Sequence, residues 1–311
     1  MMLSNFPADS PSRAALPSPQ LRREDMQRQC VRQQRTFCLR LGQLALRSLY
    51  RELQLYPKPG LVSPLDSGSH DDMDAGTFMR SLFALRHYFI RITRAGMAGK
   101  EFAMLKQLGM DAEQTMLQAT GGVNTHRGAI FCLGLLCAAA GYCRGRSMPL
   151  PLSAAAIRAT LLIQWGDGLS RHMQERAVIS HGRQVAQQYA VSGASEEAAL
   201  GFPSLFEIAL PRFLQTLGAA RGYDAAAIDT LFALMASISD TNLYHRGGPA
   251  GADKVRSSAR QFLEAGGSAT NDWRERAISC HKVFIRDKLS PGGAADLLAA
   301  TYFLHGLSYL R

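Results

Sequence analysis

The sequence predicts an all-α fold: a single compact domain of many helices, with an active site built from loops at helix N-termini. Apolar residues recur at helical spacing along most of the chain, and no convincing alternating strand pattern is present. The loops between these segments are rich in Gly, Pro, His, Asn and Asp, and a helical pattern follows each of them. At 311 residues and 47% hydrophobic composition, the chain can bury a large core.

The first element is an expected flexible leader over residues 1–33, because Ser, Pro, Ala, Arg and Gln dominate there without periodicity. A helical catalytic domain is expected over residues 34–311, and its first helix shows apolar residues at helical spacing from Phe37 to Leu53. Further helices are predicted over residues 78–92, 130–140, 154–163, 170–191, 205–217, 225–239, 273–285 and 294–307.

Composition narrows the possible partners and location. No apolar run is long enough to span a membrane, no secretory signal pattern opens the chain, and the six cysteines form no CxxC pair. We therefore expect a cytoplasmic protein with reduced thiols and no membrane partner. A formal charge of +10 favours polyanionic ligands, and without a Lys/Arg stripe interleaved with aromatics it favours phosphorylated small molecules over nucleic acid.

The first loop with chemical potential covers residues 56–74. Asp72 and Asp74 are close enough in sequence to share a divalent cation with Asp71, and His70 can serve as ligand, acid or base. Lys58 lies between two prolines that stiffen its backbone, so it can direct a fixed charge at a phosphate. The alternative is that Asp72 or Asp74 only caps the following helix.

The second loop, residues 120–130, contains two glycines that let backbone N–H groups approach a phosphate, and it opens an apolar helix. It offers donors from Asn124, His126 and Arg127, and its spacing matches neither a Walker loop nor a dinucleotide fingerprint.

A third loop, residues 240–253, gathers Asp240, Asn242, His245 and Arg246, which indicates a site. A fourth, residues 290–296, makes a tight turn before the last helix, and it is as consistent with a structural role as with a functional one.

Taken in order, these loops resemble those of the triphosphoribosyl-dephospho-CoA synthase family, and more specifically the form associated with malonate decarboxylase. The resemblance rests on PKPGLV at 57–62, GSHDDMD at 68–74, TGGVNTHRGAIF at 120–131, HG at 181–182, GFP at 201–203, DTNLYHRGG at 240–248 and SPGGAADLLA at 290–299. It covers roughly residues 52–304. The second of the loops above carries its most specific motif.

The resemblance implies a transferase that joins ATP and 3'-dephospho-CoA. The 2'-hydroxyl of dephospho-CoA attacks ribose C1' of ATP, adenine leaves, and Mg²⁺ accompanies the triphosphate. The product, 2'-(5''-triphosphoribosyl)-3'-dephospho-CoA, would pass to a holo-acyl-carrier transferase for the prosthetic group of malonate decarboxylase or citrate lyase. A homodimer is an expectation that no particular residue supports.

By the same resemblance, we expect catalytic roles for His70, Asp72, His126 and Asp240, with either histidine as the base for the hydroxyl. Substrate binding is expected from Lys58, Asn124, Thr125, Arg127, Glu197, Asn242, His245 and Arg246. Magnesium ligands are expected to be Asp72, Asp74 and Asp240.

The chain departs from the family pattern at a few positions. Ser195 and Glu196 stand where an Arg-Gly pair is expected, Ser69 where Ala is commoner, Arg127 where Lys is commoner, and Leu289 where a polar residue is expected.

Two other functions remain open from the sequence. One is a magnesium-dependent glycohydrolase of ADP-ribosyl-type linkages, which would use water as acceptor. The other is a helical CoA-binding or nucleotide-binding module without catalysis, which the acids and histidines in separate loops disfavour.

Overall fold

The computed structural model describes residues 19–181 and 193–310, and within these ranges it contains helices and no strand. The predicted all-α class is therefore confirmed. The α-helices are α1 Pro19–Gln54, α2 Ala75–Leu85, α3 Tyr88–Met97, α4 Phe102–Ala119, α5 Arg127–Gly145, α6 Ala154–His181, α7 over residues 193–199, α8 Leu210–Gly218, α9 Tyr223–Ser237, α10 Thr241–Glu264, α11 Trp273–Arg286 and α12 Gly292–Leu307. A π-helix covers Ser204–Ala209, and a 3₁₀ turn covers Gly267–Ala269.

The chain divides into two units, Met1–Phe37 and Cys38–Arg311. The helix α1 begins at Pro19 and includes residues 19–33, which the sequence assigns to a flexible leader. Proline is well tolerated at the first helical position, and the Arg, Gln and Met residues that follow have high helix propensity. Residues 1–18 lie outside the described residues.

The helices of the structure differ from the predicted ones in four places. Residues 78–92 form two helices, with a break between Leu85 and Tyr88, and the helix α4 was not predicted. Residues 241–253, expected as a loop, belong to α10, which is kinked at Gly248 (φ 61°) ahead of Pro249. Residues 154–163 and 170–181 form the single helix α6, and the remainder of the second predicted helix, residues 182–191, lies outside the described residues together with Gly182 of the HG motif.

The core of Cys38–Arg311 is built around α5, whose residues are buried on nearly every side. Small residues allow α3 to pack closely on it: a Cβ on Gly96 would overlap the Ala138 carbonyl group, and one on Gly141 would overlap the Thr93 carbonyl oxygen. Within the described ranges, α5 is also the one helix long and apolar enough to cross a membrane, and 72% of that stretch is buried inside the protein.

Candidate active site

A cavity of about 1010 Å³ lies where the N-termini of α5, α10 and α12 meet. Helix N-termini carry unpaired N–H groups and a partial positive charge, so this arrangement suits phosphate ligands. Among the predicted site residues, those in the cavity wall are His70, Asp72, Asn124, Thr125, His126, Arg127, Glu197, Asp240, Asn242, His245 and Arg246. Lys58 and Asp74 do not line it.

Lys58, which the sequence predicts to contact phosphate, does not line the cavity. Its side chain is 1% exposed, and its ammonium group donates to the backbone carbonyl of Glu52 at 2.6 Å and to Glu52 Oε1 at 2.5 Å. Burial lowers the pKa of Lys58, and the Glu52 carboxylate opposes that effect. The residue instead anchors the 56–62 segment to the end of α1 by a buried ion pair.

The same loop is held from the other side by His281, a residue of α11 that the sequence did not single out. His281 Nε2 lies 3.0 Å from Asp66 Oδ2, and Nδ1 lies 2.9 Å from the Lys58 carbonyl oxygen. The side chain is 3% exposed. A ring that contacts both ends of the 58–66 turn fixes the path of the chain into the cavity wall.

His70 is a neutral imidazole whose two ring nitrogens are both engaged. Arg246 Nη2 donates to Nδ1 at 2.9 Å, and a guanidinium has no lone pair with which to accept. The proton is therefore on Nε2, which donates to Ser290 Oγ at 2.8 Å. Burial lowers the pKa of His70, the Arg246 charge adds to this, and the Asp72 carboxylate opposes it. This geometry speaks against His70 as the base predicted for the hydroxyl.

The three aspartates of this loop do not share one site. Asp71 pairs with Lys288 at 2.5 Å. Asp74 is the N-cap of α2 and forms a capping box with Thr77, so the helix-capping alternative is the one that the structure shows. Asp72 alone faces the cavity, with 58% of its side chain exposed and Oδ1 at 3.6 Å from His70 Nδ1.

The loop before α5 presents two buried polar atoms without a hydrogen-bond partner, Thr125 Oγ1 and His126 Nε2. The other ring nitrogen of His126 lies 2.6 Å from Ser81 Oγ, and Phe78 packs edge-on against the ring. Burial lowers the pKa of His126 to about 3, and the nearby Lys58 charge adds to that effect. His126 is therefore neutral at pH 7, and both unpartnered atoms belong to residues of the cavity wall.

Arg127 and Asn124 complete this rim. The Asn124 side chain accepts from the Arg127 backbone N–H at 3.2 Å, and the Arg127 guanidinium pairs with Glu113 on α4. More than half of the Arg127 side chain is exposed, so it can exchange this partner for a phosphate.

Asp240 joins two helix N-termini. Its Oδ1 accepts from Asn242 N in α10 at 2.9 Å, and its Oδ2 accepts from Gly293 N at 2.8 Å and Ala294 N at 3.2 Å in α12. Burial raises the pKa of Asp240 to about 6, against the effect of these backbone donors. A carboxylate with both oxygens already occupied is a poor metal ligand, which counts against its predicted role with magnesium.

Asp296 is the wall residue that sequence reasoning underrated. It lies directly after the first turn of α12, and its carboxyl group rests on the N-terminus of α5, where Ala129 N–H donates to it. A Cβ on Gly128 would overlap its Oδ2. The only sequence signal for this contact is Gly128. Because Gly128 and Asp296 are far apart in the chain, the glycine does not show which residue lies against it.

Glu197 lines the cavity and is followed by a turn with a strained backbone. Its carboxylate accepts from Ser204 Oγ at 2.6 Å and from Ser204 N at 3.2 Å, at the start of the π-helix. Phe202, between them, has φ of 53° and is 1% exposed. A buried aromatic residue in the left-handed region is costly, and such strain, like a π-helix, is concentrated at functional sites.

The expected magnesium ligands are not assembled in the structure. Within the described ranges, no group of three or more His, Cys, Asp and Glu side chains is placed to hold a metal ion. Asp72 is the one of the three predicted ligands that faces the cavity with its oxygens free of capping bonds. The predicted ligands therefore do not form a metal site by themselves. They fit a metal ion that is coordinated mainly by phosphate oxygens and by one protein carboxylate.

Comparisons with known proteins agree on one family. Residues 38–311 match the family model described as ATP:dephospho-CoA triphosphoribosyl transferase. A probable 2-(5''-triphosphoribosyl)-3'-dephosphocoenzyme-A synthase of Acinetobacter calcoaceticus is 40% identical over 86% of this chain and 90% of its own length. Proteins of the same name from Stutzerimonas stutzeri (40% identical; 89% and 95%) and Vibrio cholerae (36%; 89% and 91%) also match. No solved structure gives a significant match.

Proposed function

The chain belongs to the ATP:dephospho-CoA triphosphoribosyl transferase family, and we propose that the cavity at the N-termini of α5, α10 and α12 holds both of its substrates. The protein is a transferase that makes 2'-(5''-triphosphoribosyl)-3'-dephospho-CoA from ATP and 3'-dephospho-CoA, with release of adenine. A volume of about 1010 Å³ is at the upper end of the roughly 300–1,000 Å³ of ordinary ligand pockets, as two nucleotides together require.

The observation that carries this placement is the pair of unpartnered buried atoms in the 120–131 motif. Buried polar groups are nearly always hydrogen-bonded, because an unmade bond costs about 1–3 kcal/mol. Thr125 Oγ1 and His126 Nε2 lack partners in the free protein and belong to wall residues, so a ligand with hydroxyl groups would satisfy them.

We assign the proton of His126 to Nδ1, where Ser81 Oγ accepts it, which leaves the Nε2 lone pair for the substrate. On this basis His126, rather than His70, accepts a hydrogen bond from the attacking 2'-hydroxyl. Its low pKa makes it a weak base that orients the hydroxyl. As the bond to C1' forms, the hydroxyl proton passes to Nε2 and from there to a carboxylate of the wall.

The phosphates are assigned to Arg127, Arg246, His245 and Asn124, which lie in the wall with their side chains exposed. The described part of the wall nevertheless carries more acidic side chains than Lys and Arg. The acidic residues are Glu52, Asp72, Glu113, Glu175, Glu196, Glu197, Asp240 and Asp296, and the basic ones are Lys106, Arg127 and Arg246.

Two polyanions entering such a wall need additional positive charge, which supports Mg²⁺ as a companion of ATP. Asp72 is the residue that we expect to contact it. When bound, the metal would neutralise part of the triphosphate charge.

The function is tested by incubating the protein with ATP, Mg²⁺ and 3'-dephospho-CoA and measuring free adenine and the mass of the CoA product. Adenine released only with dephospho-CoA, with an equal amount of product, is the expected result. Adenine or ADP-ribose chemistry without the acceptor would favour a glycohydrolase, and binding without adenine release would favour a non-catalytic nucleotide-binding module.

The site placement is tested by Thr125→Val, which removes the unpartnered hydroxyl with little change in shape. We expect kcat/KM to fall about tenfold, the equivalent of one lost hydrogen bond. Thr115→Val on the exposed face of α4 is the matched control and should leave kcat/KM unchanged. Equal activity of the two variants would contradict the placement.

The pathway is a separate proposal. We propose that the protein acts in the cytoplasm, where ATP and dephospho-CoA are available, and that its product passes to a holo-acyl-carrier transferase serving malonate decarboxylase. Citrate lyase is the alternative. Transfer of the labelled product to the purified acyl-carrier subunit of either enzyme distinguishes them.

A further inference from the structure

Asp296 occupies an unusual position for a carboxyl group. It is partly buried in the cavity wall, and it approaches α5 so closely that residue 128 has no room for a side chain. Ala129 N–H donates to it from the first turn of α5. The carboxyl group is therefore fixed in position by a helix that does not contain it.

The groups that act on this carboxyl are acidic. Glu52 at the end of α1 and Asp240 at the start of α10 are both nearly fully buried, at 5% and 3% exposed. Burial raises the pKa of Asp296 well above its ordinary value, the charges of Glu52 and Asp240 raise it further, and the Ala129 N–H opposes this. Lys58, a buried cation, is already paired with Glu52.

Asp240 and Asp296 compete for protonation on unequal terms. Asp240 accepts three backbone N–H bonds, which favour its ionised form, whereas one such bond supports Asp296. Two interacting carboxyl groups with different surroundings separate into an acid and a carboxylate. The proton therefore resides on Asp296, the member of the pair more open to the cavity.

The reaction needs a proton donor in this wall. The bond from C1' to adenine N9 breaks with its electron pair going to adenine, which then takes up a proton, while the acceptor hydroxyl loses one. His126 is neutral and has too low a pKa to carry a spare proton at pH 7, and the proton on His70 is engaged by Ser290. Asp240 is held as a cap on both of its oxygens.

We propose that Asp296 is a catalytic residue whose carboxyl group protonates the departing adenine. The inference rests on the proposed function, and it adds the general acid for the same reaction. The carboxylate left on Asp296 regains a proton in the same turnover from the one released by the 2'-hydroxyl, so no other reactant is consumed.

The test compares Asp296→Asn with the wild type on two donors, ATP and 8-azaadenosine triphosphate. 8-Azaadenine is a much better leaving group than adenine and depends less on protonation. We expect kcat for ATP to fall about 10²- to 10⁴-fold, the usual contribution of a general acid, and kcat for the 8-aza donor to fall less than about tenfold. Asp253→Asn, which makes the same change at a residue 69% exposed, is the control and should match the wild type.

A second measurement needs no variant and so does not depend on the folding of Asp296→Asn. The wild-type kcat for ATP should decline at high pH as Asp296 loses its proton, and kcat for the 8-aza donor should not show this decline. Equal losses on both donors, or identical pH profiles, would overturn the assignment. Absence of adenine release from the wild type would instead count against the function itself.

Discussion

Replacing Lys58 by Met tests whether its ammonium group serves the buried ion pair or the substrate. Lys58 is 1% exposed and Glu52 is 5% exposed, and two short hydrogen bonds join them. Met keeps most of the side-chain volume but leaves the Glu52 carboxylate buried without a cation. Breaking a buried pair on one side costs about 3–5 kcal/mol, whereas the net contribution of the intact pair is small.

The size of the effect should depend on what happens to Glu52. We expect Lys58→Met to lower the free energy of unfolding by about 3–5 kcal/mol, and the double variant Lys58→Met with Glu52→Gln to recover at least half of that loss. Equilibrium urea unfolding, followed by circular dichroism, measures both values. Lys254→Met removes one partner of the exposed Lys254–Asp287 pair and is the control, with little expected change.

Three results would refute this reasoning. If Lys58→Met is no less stable than Lys254→Met, or if the double variant is as unstable as the single one, Glu52 is not an uncompensated charge. If Lys58→Met raises KM for ATP while its stability is unchanged, the ammonium group contacts phosphate after all.

Three further predictions concern residues at helix N-termini. Gly128→Ala should lower kcat for adenine release strongly, because its Cβ would displace Asp296, whereas Gly293→Ala, whose Cβ lies 3.1 Å from Asp240 Oδ2, should have a smaller effect. Burial raises the pKa of Asp240 to about 6, so the unfolded chain releases this proton near pH 4 and the folded chain near pH 6. As the pH rises from about 4 to about 6, the free energy of unfolding of the wild type should therefore fall by about 3 kcal/mol relative to that of Asp240→Asn, as measured by urea unfolding. Asp74→Ala removes the capping box of α2 and should lower the melting temperature without changing kcat.

The sequence predicted helices best where apolar residues repeat over many turns. The expected helices over residues 273–285 and 294–307 agree with α11 and α12 to within two residues, whereas the one expected over 130–140 covers only the middle of α5. The start of α10 was missed because Gly247, Gly248 and Pro249 usually mark a turn. Here Gly248 alone leaves the helical region, and helical structure continues on both sides of it.

The site was predicted at the level of loops rather than of individual contacts. Polar residues concentrated before helix N-termini, and those N-termini do converge on the cavity. The direction in which a side chain points depends on partners elsewhere in the fold. The sequence predicts a phosphate contact for Lys58, and only the fold places Glu52 beside its ammonium group. Likewise, only the fold places the Asp296 carboxyl group against the N-terminus of α5.

Asp240 and Asp296 connect the three helix N-termini that surround the cavity. Asp240 begins α10 and accepts from Gly293 and Ala294 in α12, and Asp296, one helical turn further along α12, accepts from α5. A displacement of the α10 N-terminus therefore moves α12, and with it the carboxyl group that faces the ligand. Glycine is needed at position 128 because the carboxyl group of Asp296 must lie against the backbone of α5. A substitution at this position therefore tests the placement of the proton donor rather than the flexibility of the loop.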